Sequence, residues 1–305
     1  DTDNQSHWLF DSFLFLEIMD TGTGGANKMF AKGYNLESAN QADWTKLIDY
    51  YFQSETGIGA LDASVKEASA ILGTPRQKRQ IVISIPEPIV HQHPEQASSS
   101  TKYWGKIDNQ TLDFSNSADR IKACKWYIDQ VRAKFNEKNY QHVELAGFYW
   151  LAEKATDTRD ILNAVAIYLN KLKYSFNWIP YYGADGYNQW KSLGFNYAYF
   201  QPNYFFNESV PDSRLEDACQ KALTYDMHME LEFDDNALNS RGKAYRLKNY
   251  MSAFKKHGIW EKKRLAYYQG SASLLTLKKS GNAADTQLYH EFCNFVISRP
   301  IRSSH

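Results

Sequence analysis

Acidic residues close or interrupt short apolar segments in two parts of the sequence. Glu153 ends the run GFYWLAE, and Glu230 and Glu232 alternate with apolar residues in MHMELEFDD. Two carboxyl groups on opposite sides of a pocket are the minimum that glycoside hydrolysis needs: one protonates the leaving oxygen, and the other attacks the anomeric carbon or activates water. The residue types therefore predict carboxylate chemistry, provided that the fold brings these segments to one site.

Glu153 follows the apolar and aromatic run 146–152, which includes Tyr149 and Trp150. Exclusion of water by these neighbours would raise the pKa of its carboxyl group, as a general acid requires. The alternative is a solvated glutamate at the N-terminus of a helix, where the helix dipole stabilises the charge. We predict that Glu153 is the general acid/base.

The segment 227–235 alternates at the two-residue period of a β-strand. A strand of a parallel barrel has no solvated face, because one side meets the helices and the other meets the lumen. The row with His228, Glu230 and Glu232 then points inward, where an acid must be paired, hydrogen-bonded or functional. We predict Glu232 as the catalytic partner because it lies nearer the C-terminal end of the strand, with Glu230 as the second candidate.

The elements that position these acids alternate between strand and helix along the chain. Hydrophobic periodicity predicts strands at 13–18, 81–86, 143–153, 176–182, 197–206, 227–235 and 264–270, and helices at 118–139, 158–173, 212–226, 244–258 and 285–298. Such alternation favours a parallel sheet of the α/β class. We predict a (β/α)8 TIM-type barrel, in which catalytic groups stand at the C-terminal ends of the strands.

Seven predicted strands are one fewer than a full barrel has, so the first strand is expected to be irregular or missing, with only a weak signal at 7–10. The alternative is an open doubly wound sheet, but the glycine-rich segment 20–28 lacks the dinucleotide-binding spacing. The chain has no internal repeat and no linker. We predict a single barrel domain over residues 1–305, with an irregular loop insertion around 87–117.

Aromatic and amide side chains cluster at successive strand ends, and aromatic residues make up 15% of the chain. Flat amphipathic rings stack on sugars, and amides bind hydroxyl groups. We predict these substrate-binding residues: Trp150, Tyr149, Trp178, Tyr181, Tyr182, Gln201, Asn203, Tyr204, Tyr268 and Gln269.

Composition excludes several other classes of protein. The 35 basic and 35 acidic residues balance, which argues against a nucleic-acid surface, and no apolar run is long enough to span a membrane. The three cysteines are widely spaced, and we predict buried structural thiols at Cys124, Cys219 and Cys293. We expect no cofactor or metal and infer no protein partner.

The motifs WLFDSFLFLE, GFYWLAE, WIPYYGADGYNQW, GFNYAYFQPNYFF, ELEFD and YYQG occur in this order between residue 8 and residue 270. Together they resemble the bacterial family catalogued as domain of unknown function 4855, over nearly the whole chain. The resemblance implies a glycosidase-type barrel that is secreted, periplasmic or on the cell surface. In the similar clan of retaining glycosidases the acid/base follows strand four and the nucleophile ends strand seven. With one N-terminal strand missing, those positions match Glu153 and the pair Glu230 and Glu232, although Ala152 replaces the clan's usual asparagine.

We therefore expect a glycoside hydrolase that acts on a polysaccharide or oligosaccharide. A non-catalytic carbohydrate-binding barrel is the main alternative. A metal-dependent hydrolase that uses His228, Glu230 and Asp234 is a third possibility.

Overall fold

The computed structural model describes residues 5–25, 27–270 and 272–300. Within these ranges the strands are β1 (Ser12–Phe15), β2 (Lys28–Met29), β3 (Glu37–Ser38), β4 (Arg79–Ile85), β5 (Lys106–Ile107), β6 (Gln110–Thr111), β7 (Val143–Trp150), β8 (Ser175–Trp178), β9 (Tyr197–Phe200), β10 (His228–Glu232) and β11 (Leu265–Tyr268). The helices of the same ranges are α1 (Gln41–Tyr51), α2 (Ile58–Leu72), α3 (Ser117–Lys138), α4 (Arg159–Lys171), α5 (Ser213–Thr224), α6 (Ala244–Lys256), α7 (Ile259–Lys262), α8 (Ser273–Lys279) and α9 (Ala283–Ile297). Short 3-10 turns occupy Asp20–Thr23, Tyr187–Gln189, Asp235–Ala237 and Asn239–Arg241.

The chain divides into two compact units. The first unit comprises Phe10–Trp178 and Gln189–Asn196, and the described part of the second unit is 5–9, 179–188, 197–270 and 272–300. Each unit combines parallel strands with helices, so the prediction of an α/β fold is confirmed.

In the first unit, β1, β4, β7 and β8 lie side by side in that order, and all are parallel. Ile81, Ile83 and Ile85 on one face of β4 are fully buried, and so is Ser84 on the other face, because both faces of an interior parallel strand are covered. Trp44 of α1 and Tyr127 of α3 meet edge to face, with ring centroids 5.7 Å apart. Aromatic rings thus fill much of this core.

One glycine and one bulge fix how β7 fits between its neighbours. β7 carries an extra residue, Ala146, opposite the step between Ile81 and Val82, which changes the side to which the later residues of β7 point. A Cβ atom on Gly147 would lie 2.0 Å from Ser175 Oγ and 2.6 Å from Ser175 O. Only glycine therefore permits the close approach of β8 at this point.

In the second unit, β9, β10 and β11 are neighbours in that order, and all are parallel. The apolar row predicted for this segment is fully buried. In the opposite row Glu230 is 6% exposed and Glu232 is 0% exposed, whereas His228 at the start of the strand is partly exposed. The acids of β10 are therefore enclosed, as the parallel-strand argument predicts.

All seven predicted strands are confirmed, each ending at or before its predicted last residue. No further main strand occurs in the described residues, where 7–10 are irregular, so the closed eight-stranded barrel is not shown. The segment 87–116 is irregular apart from the hairpin of β5 and β6, which turns through Asp108 and Asn109 with φ values of 52° and 63°. The single domain over residues 1–305 stays a prediction.

The three cysteines are free thiols buried within α3, α5 and α9, as predicted. Burial raises the pKa of Cys124 and of Cys219 to about 12, and it also raises the pKa of Cys293. In the part of the chain that the structure describes, no helix is long and apolar enough to cross a membrane.

Candidate functional site

Three neighbouring strands of the first unit are each followed by a glutamate. Glu17 lies two residues beyond β1, Glu87 two residues beyond β4, and Glu153 three residues beyond β7. β4 pairs with β7 as far as Ile85 and Trp150, so Glu87 and Glu153 leave adjacent strand ends. Three glutamates of this unit thus lie just beyond the C-terminal ends of neighbouring parallel strands, the position that catalytic groups take in α/β barrels.

Glu87 is the most enclosed of these acids, with 5% exposure. Its Oε2 accepts a hydrogen bond from the backbone N–H of Lys32 at 2.7 Å, and its own N–H donates to Phe30 O at 2.7 Å. Burial is the main cause that raises the pKa of Glu87 to about 7, and the charge of Asp157 adds to it. The Lys32 N–H and the charges of Lys32 and Lys154 oppose this shift.

Glu153 lies in a partly exposed bend after β7. The indole N–H of Trp178 donates to Ala152 O at 2.8 Å, and this bond holds the residue immediately before the acid. Trp178 and Trp150 are both 0% exposed, and Tyr149 is 3% exposed. These three predicted ligand contacts therefore pack in the core of the first unit in this conformation, and Trp178 supports the backbone next to Glu153.

Glu232 ends β10 in the second unit, and its carboxyl group is saturated with donors. Gln201 Nε2 donates to Oε1 at 2.9 Å, while the Asn203 N–H and the Tyr250 hydroxyl donate to Oε2 at 2.8 Å and 2.5 Å. Burial outweighs these bonds and leaves the pKa of Glu232 raised. Glu230 lies two residues earlier on the same side of the strand. Burial raises the pKa of Tyr250 well above its usual value, and the charges of Glu232 and Glu230 add to this shift.

The loop that carries two of these donors is held in place by Arg246 of α6. Asn203 adopts a left-handed backbone conformation with a φ of 53°, which turns its N–H toward Glu232. The Arg246 guanidinium lies 3.7 Å from the ring centroid of Tyr204 and donates to the carbonyls of Tyr204, Asn207 and Val210. The Tyr204 ring, which was predicted to contact the ligand, is buried and packs against Arg246 in this conformation.

Two aromatic rings remain exposed next to these acids. Tyr268 ends β11, pairs in register with Glu232, and is 47% exposed. Phe206 is 37% exposed, and its ring meets that of Tyr268 at 81° with centroids 5.9 Å apart. We call Phe206 and Tyr268 the aromatic pair; it offers an apolar surface to a ligand.

The remaining predicted contacts lie near the same strand ends in the second unit. Tyr182 stacks on Phe200 at 5.8 Å, and its hydroxyl donates to Asp217. Tyr181 is partly exposed and forms an isolated bridge with Gln201. Gln269 is also partly exposed, and its Oε1 accepts from the N–H of Leu274 at 3.2 Å.

The metal alternative gains no geometric support. Among the residues that the structure describes, no group of three His, Cys, Asp or Glu side chains is placed to hold a metal ion. His228 instead lies beside the rings of Tyr197 and Tyr199, at 5.8 Å and 5.3 Å.

Four residues of these sites escaped the sequence prediction: Glu87, Phe206, Arg246 and Tyr250. Glu87 had a detectable signal, because it follows an apolar strand in ISIPEP just as Glu153 follows one. Phe206 ends the aromatic segment 197–206, but it is not among the residues predicted to bind substrate. Arg246 and Tyr250 reach their partners from α6, which is distant in the sequence, so no local sequence pattern identifies these contacts.

Comparison with known proteins gives a family but no close relative. No curated protein matches the sequence. Solved structures with a similar fold include a family 18 chitinase from Crocus vernus, at a TM-score of 0.44 and 12% identity over 79% of this chain and 79% of that chain. A family GH18 chitinase catalytic domain from the fern Peteris ryukyuensis gives 0.42 and 12% over 80% and 86%, and a putative alpha-L-fucosidase from Bacteroides thetaiotaomicron gives 0.41 and 12% over 79% and 89%. The matching family model covers residues 1–294, and the chain therefore belongs to the family described as Domain of unknown function (DUF4855).

Proposed function

We propose that the protein is a glycoside hydrolase that acts on an oligosaccharide or polysaccharide through two carboxyl groups. The observation that carries the proposal is the aromatic pair, which is exposed beside the end of β10, the strand whose acids are buried. Exposed rings beside hydrogen-bonding amides suit the apolar face and the hydroxyl groups of a sugar ring. Gln201 and Asn203 are the amide residues at this place.

The carboxyl groups supply the chemistry in this proposal. Glu153 is the proposed acid/base, because it is partly exposed at a strand end and its backbone is fixed through Ala152. Glu232 is its proposed partner, with a pKa raised by burial. Because three donors engage Glu232, a direct attack by this carboxyl group requires at least one of those bonds to open.

A carbohydrate-binding protein without turnover is the second candidate. The enclosure of Glu232 favours it, since a carboxyl group with 0% exposure cannot touch a sugar in this conformation. The aromatic pair would bind a glycan equally well without catalysis. A secreted, periplasmic or cell-surface location belongs to either proposal on the basis of the family resemblance.

The test is hydrolysis of soluble plant, bacterial and host polysaccharides by the purified chain, measured as new reducing ends. We expect turnover of at least one of them, and Glu153→Gln and Glu232→Gln should each lower it by about 100-fold or more. The matched control is Glu144→Gln, which removes an exposed carboxylate from the start of β7. Circular dichroism would establish that each variant is folded.

Two outcomes would count against the proposal. Saturable binding of a glycan by calorimetry, with no reducing ends from any polysaccharide, would favour the non-catalytic candidate. Full activity of both glutamine variants would remove Glu153 and Glu232 from the mechanism.

A further inference from the structure

Glu87 is a buried carboxyl group for which the fold provides little compensation. It is 5% exposed, yet the structure gives its carboxyl group one hydrogen bond, from the Lys32 N–H to Oε2. A buried carboxylate ordinarily requires several donors or a direct ion pair. The surroundings of Glu87 therefore favour its neutral, protonated form.

The nearest cation does not supply the missing partner. Lys32 Nζ pairs with Asp157 Oδ2 at 3.1 Å rather than with Glu87, and both of these side chains are more than one third exposed. The buried guanidinium of Arg120 donates to Asp157 O at 2.9 Å and so holds the loop that carries Asp157. Lys32, Asp157 and Lys154 are charged groups that act on Glu87, and the titratable hydroxyl of Tyr103, which donates to Ile89 O at 2.6 Å, also interacts with its charge.

The second oxygen of Glu87 remains available. Among the described residues, Oε1 of Glu87 has no hydrogen-bond partner. This oxygen is nevertheless not completely shielded from solvent. A proton carried on Oε1 can therefore be exchanged with a bound molecule. This separates Glu87 from a carboxyl group that is merely sealed in the core.

A second carboxyl group stands at the adjacent strand end. Ile85 of β4 pairs with Trp150 of β7, and Glu87 and Glu153 follow these two residues at similar distances along the chain. Glu153 is the more exposed of the two. An enclosed acid beside a more exposed one is the division of environments that separates a proton donor from a carboxylate in glycoside hydrolysis.

We propose that Glu87 is the general acid of the proposed hydrolysis, and that Glu153 is the carboxylate that works with it. The bond between the anomeric carbon and the glycosidic oxygen breaks, its electron pair stays on the oxygen, and the oxygen takes the proton of Glu87. A water molecule then adds to the anomeric carbon and gives up its proton to a carboxylate. Water either attacks the sugar directly, or it displaces Glu153 from a glycosyl ester that Glu153 has formed with the anomeric carbon. The inference rests on the proposed function and reassigns only the roles of the carboxyl groups.

The test compares Glu87→Gln with the wild type on two aryl glycosides of whichever sugar the wild type releases from a polysaccharide. A phenyl leaving group needs a proton, whereas a 2,4-dinitrophenyl leaving group departs without one. We expect kcat/KM to fall by about 100-fold or more on the phenyl glycoside and by less than about 10-fold on the dinitrophenyl glycoside. The control Glu144→Gln should match the wild type on both.

Charge substitutions provide a second, independent measurement. Lys32→Gln keeps the backbone N–H but removes a cation that favours the Glu87 carboxylate, so the basic limb of the pH–rate profile should move to higher pH. Asp157→Asn removes an anion that disfavours the carboxylate, so the same limb should move to lower pH. A merely structural role for Glu87 would not move the limb in opposite directions.

The outcomes separate this inference from the proposed function. An equal loss on both glycosides, or wild-type activity of Glu87→Gln, overturns the acid role of Glu87 while hydrolysis by the wild type upholds the proposed function. No hydrolysis by the wild type overturns both. Carbon-13 NMR titration of the carboxyl group, assigned with Glu87→Gln, does not depend on activity, and titration of Glu87 near the usual glutamate range would also overturn the inference.

Discussion

Glu87 and Glu232 are buried to nearly the same extent, but their carboxyl groups accept different numbers of hydrogen bonds. Each follows or ends a parallel strand, one in the first unit and one in the second, with 5% and 0% exposure. Glu87 accepts one hydrogen bond, whereas Glu232 accepts three from side chains and backbone. Burial raises the pKa of both.

The contrast teaches that burial alone does not identify a reacting acid. The donors around Glu232 join β10 to the loop after β9 and to α6, so this carboxyl group contributes to the stability of the second unit. The single donor on Glu87 leaves an oxygen open and the proton exchangeable. We therefore expect substitutions of the two residues to differ in sign as well as in size.

The largest effect is expected from Glu232→Ala. It leaves Gln201 Nε2, the Asn203 N–H and the Tyr250 hydroxyl without their acceptor, and it opens a cavity. The free energy of unfolding should fall by roughly 3–5 kcal/mol. Urea denaturation measures this change. Glu232→Gln should lose about 1 kcal/mol, because the amide of Gln201 can rotate to present its unpaired Oε1. Equal stability of the alanine variant and the wild type would contradict the comparison.

Glu87→Gln should have the opposite sign and depend on pH. The folded-state pKa of about 7 lies above the ordinary glutamate value of 4.5, so ionisation of Glu87 costs the wild type stability as pH rises from about 4.5 through 7. The glutamine variant cannot ionise, so it should be more stable than the wild type by about 3 kcal/mol at pH 8 and equally stable at pH 4. Denaturation at the two pH values decides this, and a variant that is less stable at pH 8 would refute it.

A pair of buried tyrosines refines the same comparison. Tyr250 donates to the Glu232 carboxyl group, whereas the Tyr51 hydroxyl shares a 3.0 Å hydrogen bond with Ser84 Oγ. Hydrogen bonds to a charged group contribute more than neutral ones. Tyr250→Phe should therefore cost roughly 2 kcal/mol in unfolding free energy and Tyr51→Phe about 1 kcal/mol. Thermal denaturation measures both losses, and equal or reversed losses would contradict the comparison.

The smallest effect on stability is expected at the aromatic pair. Phe206→Ala removes an exposed ring and one edge-to-face contact, so the unfolding free energy should change by less than about 1 kcal/mol. Its glycan affinity should nevertheless fall about 10-fold, as calorimetry can measure. Tyr34→Ala in the first unit, where the ring is 40% exposed, is the matched control and should bind as the wild type does. Equal affinities of the two variants would remove the aromatic pair from the binding site.

The strands were the most predictable part of the fold, because their signal is local. Every predicted strand occurs, and Glu230 and Glu232 of β10 are buried, as the argument from a parallel sheet predicts. The first helix of the structure also had a local signal that was passed over: Asn40 and Asp43 form a capping box at the start of α1. An eighth strand is not found in the residues that the structure describes, so the weak signal at 7–10 was a poor guide.

The candidate site was less predictable, because exposure depends on distant neighbours. Trp150 and Trp178 have the composition of a sugar platform, yet both are fully buried, while Phe206 with the same local appearance is exposed. The saturation of Glu232 depends on Tyr250, which lies 18 residues away on another element. Period and residue type reveal where an acid stands along a strand, but not how many donors the folded chain brings to it.

The buried thiols make the protein suitable for labelling. Since Cys124, Cys219 and Cys293 are the three cysteines of the sequence and all are enclosed with raised pKa values, maleimide reagents at neutral pH should leave them unmodified in the native state. A cysteine introduced at Ile71, which is 80% exposed on α2, would then carry a fluorophore at one defined position without removal of any native cysteine. Such a labelled chain would report glycan binding at a surface by fluorescence polarisation, whether or not the glycan is cleaved.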